Sequence, residues 1–169
     1  MSVEFRCATV RGRAYALGLR ADADRLMRAM RLADCELSLT LTSDRAIRRL
    51  NCDYRGIDAP TDVLSFSQIE HAGAAPPDPL NVKNRPGLPL GDVVISIDTA
   101  LRQAREYRVS SASRLRSLLI HGLLHLLGYD HERSPADARR MFARERALAT
   151  KLDDRGVGLK PAPRRASSR

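Results

Sequence analysis

The sequence predicts one domain that mixes β-strands with helices, and three patterns carry that expectation. Residues 36–42 alternate without a break, with Leu37, Leu39 and Leu41 on one side and Ser38, Thr40 and Thr42 on the other, the period of a half-buried strand. Residues 113–127 are almost wholly apolar over a helical length, which places that helix in the middle of a core. A chain of 169 residues encloses one substantial core and is short for two domains of ordinary size.

In chain order, residues 3–10 read as a first strand and 21–32 as a helix with Leu26, Met27, Met30 and Leu32 on its apolar side. After the alternating strand, Ser43 or Asp44 caps a short helix that runs through Ile47 and Leu50. Residues 62–67 and 92–97, rich in Val, Ile, Leu and Phe, are two further strands. The Pro, Ala and Gly-rich stretch between them, 71–91, reads as a mobile surface loop in which His71 is a solvated side chain rather than a ligand. Helices follow at 98–107 and 113–127. Ser134, Pro135 and Asp137 then supply the cap, the helix-starting proline and the acidic first turn of a last helix bearing Met141, Leu148 and Leu152. The domain is expected over 1–155, with 156–169 as a disordered basic tail ending in Arg164, Arg165 and Arg169.

Three of the four histidines fall in the segment 121–131, HGLLHLLGYDH. His121 and His125 lie four residues apart and so share one face of a helix. Gly128 offers the left-handed residue that ends the helix and turns the chain back, bringing His131 up as a third donor. Three protein donors leave a tetrahedral ion one open position, the mark of a catalytic rather than a structural site. The alternative is three ordinary histidines satisfied by hydrogen bonds; against it stands the cost of burying unpaired imidazoles among Leu118, Leu119, Ile120, Leu123, Leu124, Leu126 and Leu127. The spacing equals that of the metzincin metalloproteases except that Gly122 occupies the position of their glutamate. That glutamate is the general base of peptide hydrolysis, so peptidase chemistry is not expected.

Cys7, Cys35 and Cys52 are odd in number and scattered, which fits reduced thiols rather than a disulfide framework; Cys52 is the candidate for a reactive one. No long apolar run suggests a membrane span or signal peptide, and the expected location is cytoplasmic. A formal charge of +9, carried mostly by arginine, suits a polyanion such as RNA, although arginine-rich composition also arises without any such partner. With aromatic residues at 4% and no tryptophan, extended base stacking along a strand is not an obvious binding mode.

Three segments together, 50–66 (LNCDYRGIDAPTDVLSF), 90–96 (LGDVVIS) and 121–131, resemble the YbeY family of bacterial metal-dependent endoribonucleases. The likeness runs from about Glu36 to Leu152 and includes Met141 and Glu145. It departs from the family where Ser67 replaces a common proline, in the long loop before Gly91, and in the tail. The resemblance implies an α+β fold, a small mixed β-sheet packed with about five helices, whose central helix binds metal. It implies one zinc per chain on His121, His125 and His131, with nickel as the alternative. The implied activity is single-strand-specific cleavage of RNA in 16S rRNA 3′-end maturation and ribosome quality control, with the small ribosomal subunit and its assembly factors as partners and no specificity for DNA.

Arg55 matches the family's functional arginine, and its guanidinium fork suits phosphate oxygens; the rival role is an ion pair to Asp53, Asp58 or Asp62 that fixes the loop. Asp130 is the other catalytic candidate, as a support to a ligand imidazole, a proton-transfer group or a brace for the turn after Gly128. Ser65 and Asp92 are candidates for orienting the site, or plain strand-end residues. Two rival functions remain open from the residues: a non-enzymatic ribosome assembly factor, and a metal-dependent hydrolase of another substrate.

Overall fold

The computed structural model describes residues 3–69, 82 and 85–153. Its elements are β1 (Val3–Cys7), α1 (Arg13–Ala29), β2 (Glu36–Thr42), α2 (Asp44–Arg55), β3 (Val63–Ser67), β4 (Pro89–Ser96), α3 (Ile97–Glu106), α4 (Ser111–Leu126) and α5 (Pro135–Asp153). The sheet order is β1-β2-β4-β3; β1, β2 and β4 run parallel and β3 pairs antiparallel to β4 at one edge. This is the expected α+β fold with a small mixed sheet and five helices among the described residues.

The alternation of β2 decides which face is covered. Leu37, Leu39 and Leu41 are buried and enter the main core with Leu19, Leu26 and Met27 of α1 and Leu115, Leu119 and Leu123 of α4. The leucines of α4 are used on several sides, because it packs on β3 and β4 and also against α1, α3 and α5. Arg116 of α4 ties the outer helices together, donating to Asp22 of α1 at 2.8 Å and to Asp153 of α5 at 2.5 Å. That arrangement satisfies an aspartate which would otherwise be costly in a buried position.

On the other sheet face a smaller cluster joins Ile47 of α2 to Leu64 of β3 and Val94 of β4, with Leu50 and Phe66 packed against it. Leu64 pairs with Val94 and Ser65 with Val93, so successive residues of β3 face α2 and α4 in turn. The edge strand β3 is therefore sandwiched between a helix on each face. Asp62, just ahead of it, accepts from the Val63 amide at 2.9 Å, Gln103 at 3.0 Å and Arg114 at 3.1 Å. Burial works against its charge, but these donors hold its carboxyl below the usual range.

Several boundaries differ from the sequence expectation, and three of the differences have a visible cause. The first strand stops at Cys7, and Val10 is 79% exposed, because the Ala8 amide makes the last bond across to the Leu41 carbonyl. α1 starts at Arg13, well before 21, since Leu19 reaches the core from a stretch whose arginines and glycine obscure any periodicity. β4 starts at Pro89, inside the stretch read as loop. Being flanked by β2 on one side and β3 on the other, it is drawn into the ladders despite its composition, with a bulge opposite Glu36 and Leu37. Gly91 makes this possible: its φ is 129°, and a Cβ there would sit 2.1 Å from the Phe66 carbonyl oxygen. His71 and the basic tail lie outside the described residues. No helix among the described residues is long and apolar enough to cross a membrane.

Candidate metal centre

Ser110 opens α4 by accepting from the Ser113 amide at 3.1 Å. The other end closes as the glycine predicts. Gly128 is left-handed at φ 85°, its amide bonds to the His125 carbonyl at 2.9 Å, and the Tyr129 amide bonds to the Leu124 carbonyl at 3.0 Å, the two bonds of a Schellman turn. The reversal brings His131 back over the helix end. Its ring centroid lies 5.3 Å from those of both His121 and His125, and it stacks on Phe142 of α5 at 5.9 Å.

One nitrogen from each of His121, His125 and His131 lies within 4.8 Å of the others, and these three side chains could hold a metal ion. No other such group comes together among the described residues. The Nε2 atoms of His121 and His125 are 3.0 Å apart, near the separation of about 3.3 Å that two nitrogens take on one tetrahedral ion with bonds of about 2.0–2.1 Å. Nδ1 of His121 lies 2.7 Å from Oε1 of Glu145. A carboxylate only accepts, so this nitrogen carries the proton and the Nε2 lone pair faces the other imidazoles, as ligation requires. Burial, reinforced by His121 and His131, pushes the His125 pKa down to about 4, which keeps that imidazole neutral at pH 7. All three histidines are half-buried and so reachable from solvent. The donor set fits a borderline-soft divalent cation with an open position.

Gly122 is the residue that departs from the protease pattern, and its surroundings explain why it is a glycine. It is buried, and a Cβ there would meet Val93 Cγ1 at 2.7 Å and Ser65 Oγ at 3.3 Å. α4 lies so close to the sheet that no side chain fits between them.

The other candidates separate. Asp130 accepts from the Glu132 amide at 2.8 Å, bracing the turn, and its charge acts on His125 through space. The carboxylate that touches one of the three imidazoles is Glu145 instead. Arg55 ends α2, is exposed, and has no ion-pair partner among the described residues. Of its three rival partners, Asp58 is held by Arg48 at 2.7 and 2.8 Å and Asp62 by Gln103 and Arg114. Ser65 faces α4, whereas Asp92 points to the far sheet face, where it lines a cavity of about 520 Å³ with Gln68, Ser38 and Thr40. Cys52 is exposed on α2. Sequence reasoning gave Glu145 no role, yet a trace existed: it lies four residues after Met141 and three before Leu148, an acid on the inward stripe of α5.

A sequence profile of the family described as Endoribonuclease YbeY matches residues 16–153. The chain belongs to the YbeY endoribonuclease family. A curated member from Anaeromyxobacter sp. (strain Fw109-5) is 49% identical over 149 residues, 88% of this chain and 71% of that one. Another from Geobacter metallireducens is 48% identical over 140 residues, 82% of this chain and 87% of its own length. A protein of Thermotoga maritima, known from its solution structure, has the same fold: TM-score 0.62, 24% identity, 90% of both chains covered. YbeY endoribonucleases are hydrolases acting on RNA, and rRNA processing is the setting the family implies.

Glu145 gives a first expected outcome. Glu145→Ala lowers metal affinity by about 10- to 100-fold, the usual effect of losing the acceptor behind a ligating imidazole. Competition against a chelator of known affinity measures it. Unchanged affinity would make the 2.7 Å contact structural only.

Proposed function

We propose that this chain is a zinc-dependent, single-strand-specific endoribonuclease acting in 3′-end maturation of 16S rRNA and in ribosome quality control. The observation that supports it most is the set of three half-exposed imidazoles converging beside a position where the protease base cannot fit. His121, His125 and His131 hold the ion, and Glu145 fixes the His121 ring so that Nε2 faces it. When bound, the ion supplies Lewis acidity, acidifying water and drawing charge from phosphoryl oxygens. Arg55 engages a substrate phosphate through its guanidinium fork, its fixed charge opposing that of the backbone. Asp130 holds the loop that presents His131. Zinc is the favoured occupant, and nickel shares its preference for imidazole. The small ribosomal subunit and its assembly factors are the proposed partners, in the cytoplasm.

The decisive experiment incubates metal-loaded protein with labelled single-stranded RNA, double-stranded RNA and a peptide pool. Cleavage confined to single-stranded RNA is expected; binding without cleavage would leave a non-enzymatic assembly factor, and cut peptides would overturn the reading. In the same assay Arg55→Ala reduces RNA cleavage with metal content and melting temperature unchanged. A charge-assisted contact worth about 1.5–3 kcal/mol corresponds to roughly ten- to 150-fold in rate. Wild-type turnover would reduce Arg55 to a loop residue.

A further inference from the structure

Tyr54 is 69% exposed, although an aromatic ring gains most by being covered. Phe66 of β3 supports it, with ring centroids 4.9 Å apart at 60°, so the tyrosine is held edge-on against the sheet while much of its ring stays open to solvent. Ile57 is 47% exposed just past the helix end, and Arg55 stands between the two. Arg55 has no ion-pair partner among the described residues, whereas Arg48 is committed to Asp58 and the exposed Arg45 and Arg49 lie on the opposite side of α2 from Tyr54. An open ring beside one uncommitted guanidinium matches the two chemistries of single-stranded nucleic acid, a base to stack and a phosphate to neutralise.

We infer that Tyr54 stacks a base of single-stranded RNA whose adjoining phosphate meets Arg55, the next residue of α2. This rests on the proposed endoribonuclease reading and adds a second contact region to it. Because α2 and α4 cover opposite faces of β3, a strand touching both Tyr54 and the histidines bends round the sheet edge. The nearby cavity on the α2 face does not offer the same path: Glu4, Glu36 and Asp92 outnumber Arg6 in its lining and repel phosphates. Stacking on an aromatic face tolerates any base, so the contact adds affinity and positions the strand without dictating sequence.

The test is fluorescence anisotropy of labelled single-stranded RNA with the full-length, metal-loaded protein, using oligonucleotides up to about 16 nucleotides, the upper size of a stacking site. Tyr54→Ala is expected to raise Kd for the longer RNAs about five- to 150-fold, and to raise KM rather than lower kcat. Tyr54→Phe keeps the π-face and restores the affinity. An unchanged Kd in Tyr54→Ala overturns the inference, as does a Tyr54→Phe protein as weak as the alanine variant, which would point to the hydroxyl or to a protein partner. If the parent binds RNA through Tyr54 but cuts none, the nuclease reading fails and the stacking site stands; if it cuts RNA with Tyr54→Ala unaffected, only the stacking site fails.

Discussion

Replacing His121 and His125 together by alanine removes the bound divalent ion and, with it, RNA cleavage, while the protein stays folded. Two of three donor atoms disappear, and a single remaining imidazole cannot hold a divalent ion in water against ordinary competition. Losing a Lewis acid takes several kcal/mol from the stabilisation of the reacting phosphodiester, on the order of 10³-fold or more in rate. The fold survives because both histidines are half-buried, the leucines of α4 are untouched, and alanine is the best helix former. Elemental analysis, a cleavage assay and a thermal melt read the three consequences. Full retention of metal would move the ligand set elsewhere and remove the basis of the functional reading.

Gly91→Ala is expected to produce the largest loss of stability of any single methyl group considered. At φ 129° alanine is strained by about 1–3 kcal/mol. Its Cβ would also lie 2.1 Å from the Phe66 carbonyl oxygen, which is backbone and cannot swing away. Either β3 separates from β4 or the bulge opposite Glu36 shifts, for a total of about 3 kcal/mol or more. A lower denaturation midpoint at unchanged m-value reports it. Cleavage should fall as well, because β3 also carries Ser67, whose hydroxyl donates to the Leu126 carbonyl at 2.9 Å and fixes the histidine helix against the edge strand. A loss under about 1 kcal/mol would show that the strand pair adapts freely.

The parts legible in the sequence were those that depend on local spacing. The alternation of β2, the capping of α2 by Ser43, the start of α5 and the closure of α4 at Gly128 each rest on residues within one turn or one strand, and each is as expected. The histidine cluster was legible for the same reason, since all three members lie within 121–131. What was hidden depends on distant partners. Pro89 becomes strand only because β2 and β3 flank it, and Glu145 reaches His121 only because α5 packs across α4. Asp130, adjacent to His131, looked the better support, but its short side chain closes locally on Glu132, whereas the longer one from a facing helix meets the His121 ring. Tyr54 carried no distinguishing pattern either, because its support by Phe66 crosses from helix to strand.

Gly122 bears on which chemistries evolution can reach from this chain. A histidine set spaced as in a metalloprotease stands one residue from a peptide-cleaving motif on paper, yet that step meets packed atoms. Glutamate at 122 would drive its first carbon into Val93, a residue with no solvent exposure, and bury its charge between helix and sheet. Making room first by shrinking Val93 would open a void under a helix that carries the histidines, at a cost on the order of 1 kcal/mol or more. Each order of substitution therefore carries a packing cost. The obstacle is steric and lies beneath the three histidines, in the contact of one glycine with one valine.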